Sequence, residues 1–170
     1  KVIFPKINIT SEKADHLSEA SGVSIKSFFI TNELGKKVSD LFVQKKYQFH
    51  IVASFEERIK DTIIGFVFEN SKGVRLLGMS SYMFSEKTFV SEKGQTVECI
   101  FELILPKITR GEYLISPAVS EGVQEYHTTK VWENNVASVQ IVNEGHNVSL
   151  IEIDADVNII KYKTEDVTYK

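Results

Sequence analysis

The sequence predicts an all-β fold, built as an antiparallel β-sandwich. Apolar residues recur at every second position in several segments, which is the period of a half-buried strand. Short segments rich in glycine, asparagine and charged residues separate these runs, and helical periodicity is nearly absent. Several short strands divided by turns are typical of two packed antiparallel sheets.

The individual strands follow from this alternation. Tyr47, Phe49 and Ile51 alternate with polar neighbours, so one face of that strand is expected to be buried. A hairpin is predicted around the turn sequence Asn70-Ser71-Lys72-Gly73, because asparagine and glycine favour turns. In chain order, the predicted strands are 23–31, 47–55, 63–69, 74–82, 97–105, 113–119 and 139–141.

The two ends of the chain are predicted to stand apart from a sandwich domain at 22–147. Residues 1–21 are interpreted as a linker or N-terminal extension, with a short helix at 11–19 as the alternative. Residues 148–170 are interpreted as C-terminal strands, since their two apolar runs need a sheet edge to pair with. The first residue is not Met, so we expect an excised piece of a longer protein.

Tyr113 has two structural interpretations. It follows Gly111 and begins a predicted strand. In immunoglobulin-like sandwiches, a tyrosine at the start of a late strand often forms a hydrogen bond back to the preceding corner. The alternative is a simple core aromatic, and the sequence leaves both open.

Composition and motifs argue against several classes of function. A net charge of −3 does not suit a general nucleic-acid binder, which needs a basic surface. No apolar run approaches the length needed to span a bilayer. Catalytic serine, Walker and dinucleotide motifs are absent, and the four histidines are too scattered to suggest a metal site. Cys99 lies on an apolar strand face and is expected to be an inert core thiol. We therefore expect a non-enzymatic domain without a cofactor.

One candidate binding surface is the segment 121–135, predicted to be a loop between two strands. It contains Tyr126, His127 and Trp132 among polar residues. Aromatic faces stack on sugar rings, while polar side chains bond the hydroxyl groups. The alternative is that Trp132 plugs one end of the sandwich.

A second candidate is the outward face of the predicted strands 63–69, 113–120 and 137–143. If Tyr113 and Ile115 point inward, the outward residues are small or polar and leave room for a polymer or for another strand. On the other sheet, Val52, Ile100 and Ile104 are outward apolar residues between charged ones, which suggests a partly covered face such as a subunit contact. The predicted carbohydrate-binding residues are Gly65, Ser116, Ala118, Ser138 and Gln140 on the small-residue face, with Tyr126, His127 and Trp132 at its rim.

The order of several short segments is informative. They are GVSIK at 22–26, LGKKV at 34–38, KYQFHI at 46–51, GFVF at 65–68, GVRLLG at 73–78, RGEYLIS at 110–116 and WENNVA at 132–137. In order and spacing, the stretch from about 22 to 143 resembles the C-terminal domain of Wzt. Wzt is the nucleotide-binding subunit of ABC transporters that export O-antigen polysaccharide.

The resemblance implies an immunoglobulin-like sandwich that recognises the non-reducing end of an O-antigen polysaccharide. It implies a homodimer, in which residues 148–170 are the candidate for an exchanged strand. It also implies an ATPase domain before Lys1, a membrane subunit as partner, and a cytoplasmic location at the inner face of the bacterial inner membrane. An anionic terminus could pair with Lys130 or Arg75. The alternative function is a structural or protein-binding sandwich module.

Overall fold

The computed structural model describes residues 3–5, 22–123, 125–145, 149–151 and 156. Most of the predicted linker, with its alternative helix at 11–19, and most of the predicted C-terminal strands lie outside these residues. The described part contains ten strands and one short helix. They are β1 (Val23–Asn32), β2 (Asp40–Phe42), β3 (Lys46–Phe55), β4 (Ile59–Asn70), β5 (Arg75–Ser80), α1 (Ser81–Ser85), β6 (Phe89–Ser91), β7 (Thr96–Ile104), β8 (Gly111–Gly122), β9 (His127–Trp132) and β10 (Ala137–Val142).

These strands form two packed sheets, which confirms the predicted β-sandwich. The smaller sheet has the order β1-β3-β7. The larger, seven-stranded sheet has the order β2-β10-β8-β4-β5, with β6 also paired to β4 and β9 also paired to β8. Every pairing is antiparallel except that of β2 with β10, which is parallel. The larger sheet is therefore mixed rather than purely antiparallel.

The core lies between the two sheets and follows the alternation seen in the sequence. Phe66 of the larger sheet is at its centre. Its ring stacks on Phe49 of the smaller sheet at 5.2 Å and meets Phe101 edge-on at 5.3 Å. Phe28 completes this group of rings, at 6.5 Å from Phe66. Aromatic pairs of this kind stabilise a core beyond the area that they bury.

The lengths of β4 and β8 shape the outer face of the larger sheet. Each has 12 residues, which is long for a strand. Along one side of β8, β10 pairs with the stretch 111–115 and β9 with the stretch 118–122. The two ends of this face therefore have different neighbours.

The prediction of a loop at 121–135 is wrong for most of the segment. It is largely a β-hairpin, with a turn closed by reciprocal backbone hydrogen bonds between Val123 and Tyr126, and β9 follows. The sequence of β9 does not show alternating apolar and polar residues, because Val131 is the one residue of this strand that is fully buried. The helix α1 was also missed. It is only five residues long, and Ser80 caps it by accepting a hydrogen bond from the backbone N–H of Met83.

Candidate functional site

A cleft of about 240 Å³ lies on the outer face of the larger sheet. Its floor includes one row of register partners that crosses four strands. Gly65 and Ala118 form the middle of this row, with Ser80 at one end and Trp132 at the other. The small side chain of Ala118 leaves a depression beside Trp132. The cleft is lined by Ile63, Gly65, Phe66, Val67, Gly78, Met79, Ser80, Met83, Ala118, Ser120, His127, Thr129 and Trp132.

Gly65 is required by the backbone beside it. A Cβ atom at this position would lie 2.4 Å from the carbonyl oxygen of Met79, far inside contact distance. The neighbouring strand therefore packs directly on the glycine. The start of α1 is fixed to the same strand, since the Ser81 hydroxyl accepts a hydrogen bond of 3.1 Å from the backbone N–H of Ile64. The helix thereby brings Met83 to one wall of the cleft.

Trp132 forms the opposite wall. Its indole Nε1 donates a hydrogen bond of 2.6 Å to Oδ1 of Asn134, which restricts rotation of the ring. The guanidinium carbon of Arg75 lies 5.5 Å from the indole centroid, within the range of a cation–π contact. The ring lines the outer cleft and is not among the side chains packed in the core. Trp132 therefore does not plug an end of the sandwich.

The structure brings four of the eight predicted site residues into the cleft. They are Gly65, Ala118, His127 and Trp132. The other four, which are Ser116, Ser138, Gln140 and Tyr126, lie outside it.

Each of these four has a local reason for its position. Ser116 is only 2% exposed, and its hydroxyl accepts a hydrogen bond of 2.9 Å from the backbone N–H of Asn135. Ser138 donates to the carboxylate of Glu112. Tyr126 is 85% exposed at the turn of the hairpin.

Gln140 is too far along the sheet to share the cleft. Its partner on β8 is Glu112, six residues from Ala118. At roughly 3.3 Å per residue, that separation is about 20 Å. The two residues lie on the same face, but at opposite ends of a long strand.

The two cations near the cleft differ in their partners. Lys130 lies 3.0 Å from a carboxylate oxygen of Glu121 and 3.5 Å from one of Glu57. Its hydrogen bond to Glu121 is the main cause of a raised pKa of the Lys130 ammonium. For Arg75, the contact recorded among the described residues is the Trp132 ring, and no carboxylate of that part lies within 4 Å.

Sequence reasoning missed several parts of the site. Met83 had no signal of its own, because a five-residue helix is too short to show periodicity. Ser80 had a weak one, since a serine before a short apolar run is a common helix cap. The contact between Arg75 and Trp132 had none, since their strands are 57 positions apart in the chain and separated by two others in the sheet.

A second cavity, of about 630 Å³, lies between α1 and the edge of the smaller sheet. It is lined mainly by apolar side chains, including Phe84, Phe89 and Phe101, and by Cys99. Cys99 is half-buried and packs against the core, and this partial burial raises the pKa of its thiol to about 11. Its inertness stays a prediction.

Two further features are absent from the described part of the chain. No group of three or more histidine, cysteine or acidic residues there could hold a metal ion. Nor is any helix there long and apolar enough to cross a membrane.

Comparison with known proteins identifies a family and similar solved structures. The family described as the Wzt C-terminal domain matches residues 15–153. A crystal structure of the C-terminal domain of Wzt has 19% sequence identity and a TM-score of 0.73, covering 82% of this chain and 85% of the other. A CARDB domain from Pyrococcus furiosus, solved with two metal ions, has 13% identity and a TM-score of only 0.41 over 77% of this chain and 100% of the other. No curated protein matches significantly.

Proposed function

The chain belongs to the family of Wzt C-terminal domains, and from that premise we propose that it is a non-catalytic module that binds the non-reducing end of a polysaccharide. The carbohydrate occupies the cleft between Trp132 and α1. In the full-length protein, the module couples recognition of O-antigen to export by an ABC transporter. Its partners are then an adjoining ATPase domain and a membrane subunit, at the cytoplasmic face of the inner membrane.

The observation that carries this proposal is the row of Gly65 and Ala118 ending at Trp132. A sugar ring is flat on its C–H face and needs an aromatic surface beside open space. The small side chain of Ala118 beside the indole provides the space, and the indole provides the surface. Ser80 and Thr129 place hydroxyl groups in the same cleft, where they can form hydrogen bonds with the hydroxyl groups of a sugar.

The geometry also suits weak binding. The cleft is small and open, and it can contact only a few groups of one sugar terminus. We therefore expect a dissociation constant on the order of micromolar to millimolar. A terminus bound this weakly dissociates readily, because affinity differences are expressed mainly in the dissociation rate. Rapid release is useful in a module that must pass its polymer to a transporter.

The test is binding of purified bacterial O polysaccharides to the isolated domain and to two variants. We expect Trp132→Ala to weaken binding at least about tenfold, by loss of the stacking surface. Tyr126→Ala is the matched control, because it removes an exposed aromatic from the same hairpin but outside the cleft. Equal binding by the domain and Trp132→Ala would show that the sugar binds elsewhere.

A protein-binding module is the second candidate, favoured by the edge of the smaller sheet. Within the described residues, β7 pairs with β3 alone, so its other edge has unpaired backbone groups. Ile100 and Ile104 on this strand are 48% and 67% exposed. Such an edge can accept a strand from a partner, including a second copy of the chain. Dimerisation at this edge is consistent with carbohydrate binding on the other sheet, whereas a failure to bind any glycan would leave protein binding as the function.

A further inference from the structure

We infer that Arg75 makes the cleft selective for a glycan terminus that carries an anionic group, either a carboxylate or a phosphate. This inference rests on the proposed function and names the class of sugar. It rests on two observations. The guanidinium of Arg75 lies over the ring of Trp132, and Arg75 has no acidic partner among the described residues.

One face of the indole is already covered by a side chain of the protein. Arg75 begins β5, and Trp132 ends β9, with β4 and β8 between them in the sheet. The two long side chains meet across that distance, with the guanidinium carbon 5.5 Å from the ring centroid. A sugar ring that stacks on this face must therefore displace the guanidinium.

Displacement has different consequences for neutral and anionic sugars. A neutral ring gains the stacking contact but removes the cation–π contact of Arg75 without replacing it. An anionic group close to the ring offers the displaced guanidinium a new partner. Carboxylates and phosphates accept two parallel hydrogen bonds from arginine, and such charge-assisted pairs are among the stronger ones.

The neighbouring charges leave this task to Arg75. Lys130 is held between the carboxylates of Glu121 and Glu57, so its charge is already balanced. Arg75 has no such partner in the part of the chain that the structure describes. Its side chain is exposed at the rim, where it can turn from the indole toward a ligand.

The experiment uses an array of bacterial O polysaccharides grouped by their non-reducing terminus as neutral, carboxylate-bearing or phosphate-bearing. The strongest binder of each group is then titrated at low and high salt. The variants are Arg75→Ala and Arg75→Lys, which keeps the charge but loses the planar pair of donors. Arg58→Ala is the matched control, because Arg58 is an exposed arginine that pairs with Glu92 and does not line the cleft.

We expect the domain to prefer an anionic group and to bind it less tightly as salt rises. Arg75→Ala should lower that affinity about tenfold or more and reduce its salt dependence, while binding of neutral termini is unchanged or stronger. The affinity of Arg75→Lys for the anionic terminus should lie between those of the unchanged domain and Arg75→Ala. Arg58→Ala should bind like the unchanged domain. The separate carboxylate and phosphate groups of the array show which anion is preferred.

Two results would overturn the inference but would not contradict the proposed function. One is a domain that binds neutral termini best. The other is an Arg75→Ala variant that weakens neutral and anionic glycans equally while Trp132→Ala abolishes both. Binding to no member of the array would instead overturn the proposed function itself.

Discussion

The hydroxyl of Tyr113 donates a hydrogen bond of 2.7 Å to the backbone carbonyl oxygen of Thr109. The same side chain is only 2% exposed, and its ring stacks on Phe68 at 5.0 Å. Both interpretations that the sequence left open are therefore correct, since one residue is a core aromatic and also closes the corner before β8. This corner resembles the tyrosine corner of immunoglobulin-like sandwiches.

We predict that Tyr113→Phe lowers the free energy of unfolding by about 1–2 kcal/mol. The substitution keeps the buried ring but leaves the Thr109 carbonyl without this donor. Urea denaturation followed by fluorescence measures the change. Tyr126→Phe is the control, because its hydroxyl is on an exposed turn, and a change of less than about 0.5 kcal/mol is expected there. Equal stability of the two variants would mean that the corner hydrogen bond contributes nothing.

The strands that face the core could be predicted, because burial forces their alternation. Phe49 and Ile51 in β3 are fully buried with partly polar neighbours, and the register of the smaller sheet follows from such patterns. Strand β9 could not be predicted in this way. It pairs only with β8 in the described residues and sends one side chain, Val131, into the core.

The candidate site could be predicted only in part, for a reason of distance. Gly65 and Ala118 were identified from small side chains on one face, and the register makes them direct partners. Ser138 and Gln140 are on that face too, but alternation alone does not tell how far along the strand two residues lie. The contact of Arg75 with Trp132 joins distant strands, and no local pattern encodes it.

We predict that Phe66→Ala lowers the free energy of unfolding by about 3–5 kcal/mol. Phe66 is 2% exposed and contacts the rings of three other phenylalanines, so its loss leaves a cavity that rigid sheets fill poorly. Phe84→Ala is the control, since this side chain is 66% exposed on α1 and should change stability little. If Phe66→Ala lowers the free energy of unfolding no more than Phe84→Ala does, the central position of the Phe66 ring is contradicted.

We predict that Cys99 reacts slowly with maleimide in the folded protein. Burial raises the pKa of its thiol from 9.0 to about 11, so the reactive thiolate is about a hundredfold rarer at pH 8 than in the unfolded chain. Labelling in buffer and in denaturant measures this ratio. Equal rates in both conditions would contradict burial of the thiol.

The same shift has a consequence for stability. Between pH 9 and about 11, the unfolded chain loses the thiol proton while the folded protein keeps it, so this group lowers stability as pH rises. Below pH 9 both states keep the proton, and the effect disappears. Cys99→Ala removes the group, and the variant should therefore lose less stability than the parent over that interval. Parallel pH profiles for the two proteins would contradict the prediction.

We predict that Ala118→Leu abolishes carbohydrate binding and leaves the fold intact. Ala118 lies in the middle of the cleft floor, beside Gly65 and Trp132 in the register, and the larger leucine side chain would project into the cleft next to the indole. The side chain points away from the core, so the change should cost little stability. Circular dichroism checks the fold, and titration with the strongest binder of the O-polysaccharide array measures the affinity.

Ser138→Leu is the matched control for this prediction. It adds similar bulk to the same face of the sheet, on β10 and outside the cleft, at a residue that sequence reasoning alone had placed in the site. We expect it to bind like the parent, because a ligand held between Trp132 and α1 does not reach that far along the sheet. The opposite result, in which Ser138→Leu binds weakly and Ala118→Leu binds normally, would move the carbohydrate to the end of the face beside β10.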